Sequence, residues 1–249
     1  MKNGQIIELA TRLKYHLRPS VYPAFPDVPD FDIFADTIDV RHAGGDYHDF
    51  FRIDADHIGI VVADIFDGGA AAALHMVALK MYITSQLYQD DSIEEKVQSI
   101  NDYLCCKNDD NLCLSAWYGI YEISTGILKI VNAGHEKSLL MTKNGVRENA
   151  DEKVSYLLGV IEGMQYESFE LHLEPGDKVF LYTDGVIGAA NNEGIPYGKN
   201  RLMDAFSETS GQDAQSTVEA LESDLSSFVN EGALREDATF LCFERKEGE

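Results

Sequence analysis

Cysteine, proline and tryptophan are scarce in this chain of 249 residues, at four, six and one. Cys105, Cys106, Cys113 and Cys242 lack the paired C-x-x-C spacing of a structural zinc site. None is followed by Arg six positions later, so a Cys-x5-Arg nucleophile loop is absent. Cys113 and Cys242 sit in apolar runs and read as buried free thiols. Positive charge is also short. Lys and Arg number 20 against 43 Asp and Glu, a net charge of −23. A field of that sign repels phosphate backbones and anionic membranes, and no basic, aromatic-studded stretch offsets it. Nucleic acid and membrane are therefore not expected as partners. The longest apolar run, Ala70 to Leu87, is broken by His75 and Lys80 and falls short of a membrane span. The N-terminus has no signal-peptide apolar core, so the chain reads as cytoplasmic. Gly194 to Lys199 is one residue too short for a P-loop, and neither Gly-x-Ser-x-Gly nor His-Glu-x-x-His occurs.

What is present is an ordinary globular mix, 45% hydrophobic and 25% charged, with ample material for a core. Apolar residues at helical spacing predict an N-terminal helix over 5–17, followed by a Pro-rich connector through Pro29. Strands are expected at 31–40, 47–53 and 58–63, with Asp54-Ala55-Asp56 as a hairpin turn. A long helix should begin after Gly69 and reach about Leu87. A second should start at Ser92, where Ser92 and Glu95 have capping-box spacing. Further strands are predicted at 112–123, 127–132, 138–142, 168–173, 178–183 and 238–244, and helices near 199–208 and 214–229. Hairpin-linked strands in blocks with helices grouped between them argue for antiparallel sheets and an α+β fold. No repeat or linker divides the chain, so a single domain over 1–249 is expected.

Aspartates recur at strand ends. Asp64 closes the run Ile58–Ala63, Asp184 closes Val179–Thr183, Asp237 precedes Ala238–Phe243, and Asp46 follows Gly44-Gly45. A carboxylate at the rim of a buried strand is held rigidly, which suits a metal ligand. Asp-Gly is equally a favoured turn pair, and Asp accepts backbone hydrogen bonds at strand and helix ends. Four carboxylates at one sheet edge would repel one another unless cations neutralised them, and oxygen-only ligands favour Mg²⁺ or Mn²⁺ over zinc. Spacing alone does not show that the four converge.

The chain resembles the metal-dependent protein serine/threonine phosphatases of the phosphatase 2C superfamily, in the SpoIIE-like bacterial branch. The resemblance rests on Ala43-Gly44-Gly45-Asp46-Tyr47 with Asp49-Phe50-Phe51, and on Val62-Ala63-Asp64-Ile65 running into Gly69 and Ala72-Ala73-Leu74. It continues in Asn132-Ala133-Gly134-His135, Pro175-Gly176-Asp177, Leu181-Tyr182-Thr183-Asp184-Gly185-Val186 and Glu236-Asp237-Ala238-Thr239. These stretches follow family order from about residue 17 to 244. The resemblance implies a four-layer α-β-β-α sandwich with two central antiparallel sheets, and two ions, Mn²⁺ or Mg²⁺, at one end of the sheets. By that pattern Asp64 bridges both ions and the Ile65 carbonyl ligates one. Asp184 and Asp237 ligate the other, and Asp46 acts nearby through metal-bound water. Two such ions lower the pKa of a shared water and aim it at phosphorus, so no covalent nucleophile is needed. The implied substrate is a phosphoserine or phosphothreonine protein, with a STAS-type anti-sigma-factor antagonist as the example. A regulatory partner or homodimer contact through the N-terminal helix or the long helix after Gly69 is also implied.

The chain departs from the family after the bridging aspartate. Phe66-Asp67-Gly68-Gly69 stands where Ser-Gly, a basic residue or His, and Gly are usual, placing an aromatic ring and an extra negative charge beside the proposed ions. Gly188 and Glu236 also depart, but neither replaces a proposed ligand. His42 and His48 flank the Gly-Gly-Asp motif and are the nearest candidate proton donors to it in sequence, yet no general acid is assigned. Two further readings stand beside this one. Asp54-Ala55-Asp56 superficially matches the DxD of aspartyl-phosphate hydrolases. Alternatively, the fold is a non-catalytic module that binds a phosphoprotein or scaffolds partners.

Overall fold

The computed structural model describes residues 8–9, 12–13, 15–39, 45–66, 70–86, 89–106, 113–230 and 234–246, with 70–74 described by backbone alone. Ten strands and five helices are assigned among them. All strand pairs are antiparallel, and the strands form two five-stranded sheets, so the fold is mixed α+β as the hairpin blocks predict. The chain divides into two compact units, each holding one sheet.

The first unit comprises Met1–Pro19, Arg41–His135 and Asp151–His172. Its sheet runs β2 (Asp46–Arg52), β3 (His57–Ile65), β4 (Leu114–Glu122), β5 (Ile127–Ala133) and β8 (Phe169–His172). Successive strand residues point to opposite faces. On one face Val61, Ala63 and Ile65 of β3 and Leu114, Ala116 and Tyr118 of β4 therefore form a single apolar surface. Helix α1 (Ala70–Gln86) packs Met76, Leu79 and Ile83 on it, and α2 (Ile93–Cys106) adds Val97, Ile100 and Leu104. The capping box at the start of α2 forms as expected: Ser92 N–H donates to Glu95 Oε2 at 2.8 Å, and Glu95 N–H to Ser92 Oγ at 3.2 Å. Of the expected N-terminal helix, residues 8–9, 12–13 and 15–17 are helical; the rest of 5–17 lies outside the described residues.

The second unit comprises Ser20–Val40, Glu136–Ala150 and Leu173–Glu249. Its sheet runs β1 (Phe31–Ile38), β10 (Ala238–Arg245), β9 (Lys178–Tyr182), β6 (Leu139–Thr142) and β7 (Gly145–Glu148). Three helices belong to it: α3 (Asp184–Gly188), α4 (Gly198–Glu208) and α5 (Ala214–Val229). Phe180, Tyr182, Phe240 and Cys242 pack with Leu202 and Phe206 of α4 and Val218, Leu221 and Leu225 of α5. Asp213 caps α5 by accepting the Ser216 N–H at 2.7 Å. β1 is an edge strand, and the connector covers it. The Tyr22 hydroxyl donates to the Ala35 carbonyl at 3.1 Å and accepts the Ala35 N–H at 3.4 Å.

Two elements were not expected: β7, paired with β6 across the Asn144-Gly145 turn, and the single-turn helix α3. Each is only four or five residues long, too short to give a periodic signal. Cys242 is buried as expected, whereas Cys113 is only half-buried, because it lies just before β4 begins. Among the described residues no helix is long and apolar enough to cross a membrane.

Candidate functional site

Antiparallel register brings the first pair of candidate carboxylates together. Asp46, the first residue of β2, stands directly opposite Asp64 near the end of β3, and Asp64 in turn faces Ser115 of β4. Asp46 is 2% exposed. The Ile65 N–H donates to the Gly45 carbonyl at 3.1 Å, extending the ladder one residue past Asp46. A β-carbon on Gly45 would lie 2.2 Å from the Ile65 carbonyl oxygen and 2.7 Å from Asp64 Oδ1. Only glycine leaves those two oxygens room, and both belong to expected ligands.

A second pair is built the same way in the other unit. β9 ends at Tyr182, and the Thr183 N–H donates to the Thr239 carbonyl at 3.2 Å. The Thr239 N–H returns a bond to Thr183 Oγ1 at 3.0 Å. These crossed bonds fix where Asp184 leaves β9 and where Asp237 enters β10. Gly185 makes the approach possible, since a β-carbon there would lie 1.9 Å from the Asp237 carbonyl oxygen. Asp237 is buried, while Asp184 is solvent-accessible at the start of α3. The Asp184 carboxyl is held above the usual carboxylate range by partial desolvation and then by the negative charges of Glu236 and Glu136.

Around the first pair lie residues for which sequence gave a weaker signal. Ser115 Oγ is 3.0 Å from His135 Nδ1, and the His135 N–H donates to Asn132 Oδ1 at 2.7 Å. Asn132 Nδ2 also donates to Glu152, so the Asn132–His135 motif is a bracket tying the end of β5 to the 152–158 segment. Ser115 and Glu152 were not singled out; each matters through a partner distant in sequence, and no local pattern marks it. Behind Asp46, Asp49 accepts from Tyr47 Oη at 2.7 Å and from Lys80 Nζ of α1 at 3.0 Å. Burial raises the Asp49 carboxyl, with Lys80 opposing. His48 is buried, and His42 lies outside the described residues.

Asp54 serves the hairpin. Its Oδ1 accepts the N–H groups of Asp56 and His57 at 2.8 and 2.9 Å, the geometry of a turn rather than of a nucleophile after a buried strand.

The candidate donors are carboxylate and carbonyl oxygens, the hard set that Mg²⁺ and Mn²⁺ take. Among the described residues no three His, Cys, Asp or Glu side chains are gathered around one point. Such a cluster is not required for Mg²⁺, which is commonly held by one or two carboxylates and keeps several waters. The residues present thus fit a hard divalent ion.

A profile of the family described as stage II sporulation protein E (SpoIIE) matches residues 54–246, a stretch running through both units. Phosphoserine phosphatase RsbU of Bacillus subtilis is 24% identical over 221 residues, covering 89% of this chain and 65% of its own length. The chain spans 33–65% of the length of the curated relatives it matches. The SiaA-PP2C domain of Pseudomonas aeruginosa superposes with a TM-score of 0.84 at 19% identity, over 98% of this chain and 97% of that one. The catalytic domain of the serine/threonine protein phosphatase PstP, in complex with two manganese ions, gives 0.61 at 11% identity, over 87% and 99%. The fold is that of these phosphatase domains.

Proposed function

The chain belongs to the SpoIIE family, and on that premise we propose that it is a Mn²⁺- or Mg²⁺-dependent phosphoserine/phosphothreonine protein phosphatase. The observation that carries the reading is the facing pair Asp46 and Asp64, beside an Ile65 carbonyl kept open by Gly45. A turn aspartate needs no such clearance. The name of the relative RsbU, a phosphoserine phosphatase, supports the same reaction class.

Asp64, the Ile65 carbonyl, Asp184 and Asp237 are the proposed ligands, with Asp46 acting beside Asp64. When bound, two divalent ions supply Lewis acidity that activates water and neutralises phosphoryl oxygens. The chain's own part is to hold donors in place before substrate arrives. β2 and β3 fix Asp46 and Asp64 by register, and the Thr183–Thr239 bonds fix the backbone on either side of Asp184 and Asp237. On a chain of net charge −23, a site holding such ions would also offer positive charge to an anionic phosphoprotein. We propose a cytoplasmic bacterial signalling role, with a STAS-type phosphoprotein as substrate and a separate partner or second copy of the chain as regulator.

The test is phosphate release from phosphoserine and phosphothreonine peptides with and without Mn²⁺, comparing wild type with Asp64→Asn. The reading expects Mn²⁺-dependent turnover that falls at least about a hundredfold in the variant. A folded, Mn²⁺-binding wild type that releases no phosphate from the peptides or from a phosphorylated STAS-type protein would instead favour a phosphoprotein-binding module.

A further inference from the structure

Helices α1 and α2 do not cover the whole sheet face on which they pack. Ile120 and Glu122 of β4 follow Tyr118 on that face, and Ile127 and Lys129 of β5 precede Val131 on it. All four are only half-buried. Together with Ile53 just after β2, the Gln89–Ile93 connection between the helices, and Glu170 of β8, they line a groove of about 590 Å³. His57 also lines it and pairs with Glu122 at one end of β3, whereas Asp64 lies at the other end of that strand.

The apolar lining is aliphatic: Ile53, Ile93, Ile120 and Ile127. Around it stand five carboxylates, on Asp54, Asp90, Asp91, Glu122 and Glu170, and two lysines. Both lysines are already committed. Lys96 is 4% exposed, and its Nζ donates to the Gln86 and Gln89 carbonyls at 2.9 and 2.7 Å, closing the C-terminal end of α1. Lys129 Nζ stands 3.5 Å from Glu170 Oε1. The Asp90 and Asp91 carboxylates have no partner among the described residues. The groove therefore keeps an excess of negative charge beside an aliphatic surface.

That combination selects the occupant. A phosphorylated ligand is repelled. A bare divalent ion needs several oxygens around one point, and among the described residues no three His, Cys, Asp or Glu side chains gather in that way. A protein partner would rest on apolar surface beyond the groove itself. Yet among the described residues none of the exposed large apolar side chains lines it. Apolar contact is confined to a space within the roughly 300–1,000 Å³ of small-ligand sites. Separated carboxylates beside isoleucine match separated ammonium groups on an alkyl chain, whose methylenes lie on the apolar surface while its charges reach the acids.

We propose that this groove binds a small aliphatic polyamine, a saturated chain carrying two or more ammonium groups. The site is independent of the phosphatase reading, and its test uses no phosphate release.

The test is calorimetric titration of the full chain at low ionic strength, with Mg²⁺ present to compete for carboxylates elsewhere. The probes are diaminopropane and diaminooctane, each with an amine at both chain ends, equal in charge and different in alkyl length. Diaminooctane should bind about tenfold more tightly, the effect of burying about two more methylenes. Ile127→Thr should cut that preference to about threefold. Asp90→Asn combined with Asp91→Asn should weaken diaminooctane about fivefold. Asp204→Asn combined with Glu208→Gln removes as much charge from exposed positions on α4 of the other unit, and should leave the affinity within about twofold of wild type. Absence of diaminooctane binding, or equal affinity for the two diamines, overturns the site. So does a loss in the α4 variant as large as in the Asp90 and Asp91 variant, which is the diffuse attraction of an acidic chain. Tighter binding of a capped Leu-Lys-Leu-Lys-Leu peptide than of diaminooctane overturns it in favour of a protein segment.

Discussion

Gly45 lies so close to Ile65 that a β-carbon on it would stand 2.2 Å from the Ile65 carbonyl oxygen. Backbone cannot yield as a flexible side chain can, so Gly45→Ala must displace the carbonyl or the Asp46 strand end. The expected result is Mn²⁺ affinity lowered at least about tenfold, with phosphate release falling further, because a small misplacement of reacting groups is costly. Titration calorimetry with Mn²⁺ reads the first effect, and circular dichroism shows whether the fold survives. Unchanged Mn²⁺ affinity in a folded variant would remove the Ile65 carbonyl from the ligand set.

Asp49 and Lys80 form a nearly buried ion pair that joins β2 to α1. Lys80→Met strands a carboxylate at a site 5% exposed, with Tyr47 still donating to it. Removing one partner of such a pair should cost about 2–4 kcal/mol. The double variant with Asp49→Asn should recover part of that loss, since no charge is then left behind. Urea unfolding followed by fluorescence of the single, fully buried Trp117 measures both.

Asn101→Ala removes an acceptor shared by the Gly159 N–H and the Tyr166 hydroxyl, together with the donor to Ile161. The predicted destabilisation is about 2–3 kcal/mol, the usual cost of emptying a buried polar bracket. Hydrogen exchange should locate the loss. Faster exchange confined to 157–166 is expected, and a uniform increase across the chain would show that the bracket is not local.

Glu222 of α5 carries a carboxyl pushed up to about 7 by burial, with Asp36 and Glu219 adding repulsion. A carboxyl raised in the folded state binds more protons there than in the unfolded chain. Its favourable contribution is therefore complete below its ordinary value of 4.5 and disappears as pH rises through about 7. Glu222→Gln should raise stability at pH 8 by about 1–2 kcal/mol, allowing for solvent screening of this partly exposed group. At pH 4 the two proteins should unfold at the same urea concentration. A gain of equal size at both pH values would mean that titration is not its cause.

Much of this molecule is legible in its sequence because the governing signals are local. The Ser92–Glu95 spacing declares the start of α2, and Asp54-Ala55-Asp56 declares a hairpin. Short continuous apolar runs bounded by turn residues declare β3, β4 and β10. The aspartates at strand ends are visible for the same reason. What spacing does not carry is register. That Asp46 faces Asp64, and that Ser115 meets His135, depends on how strands slide past one another, which is settled by packing across the whole sheet. Glu152 is hidden similarly: nothing near it in sequence announces a bond to Asn132. The two missed elements, β7 and α3, are short enough that their neighbours rather than their own composition determine them.

Tyr22 has a consequence for how copies of this chain meet. Its hydroxyl takes both outward-facing backbone groups of Ala35, in the middle of the eight-residue edge strand Phe31–Ile38. An intruding strand from another molecule finds four residues before that point and three after it in place of one uninterrupted run of eight. One phenol thus divides a template for runaway pairing into two stubs.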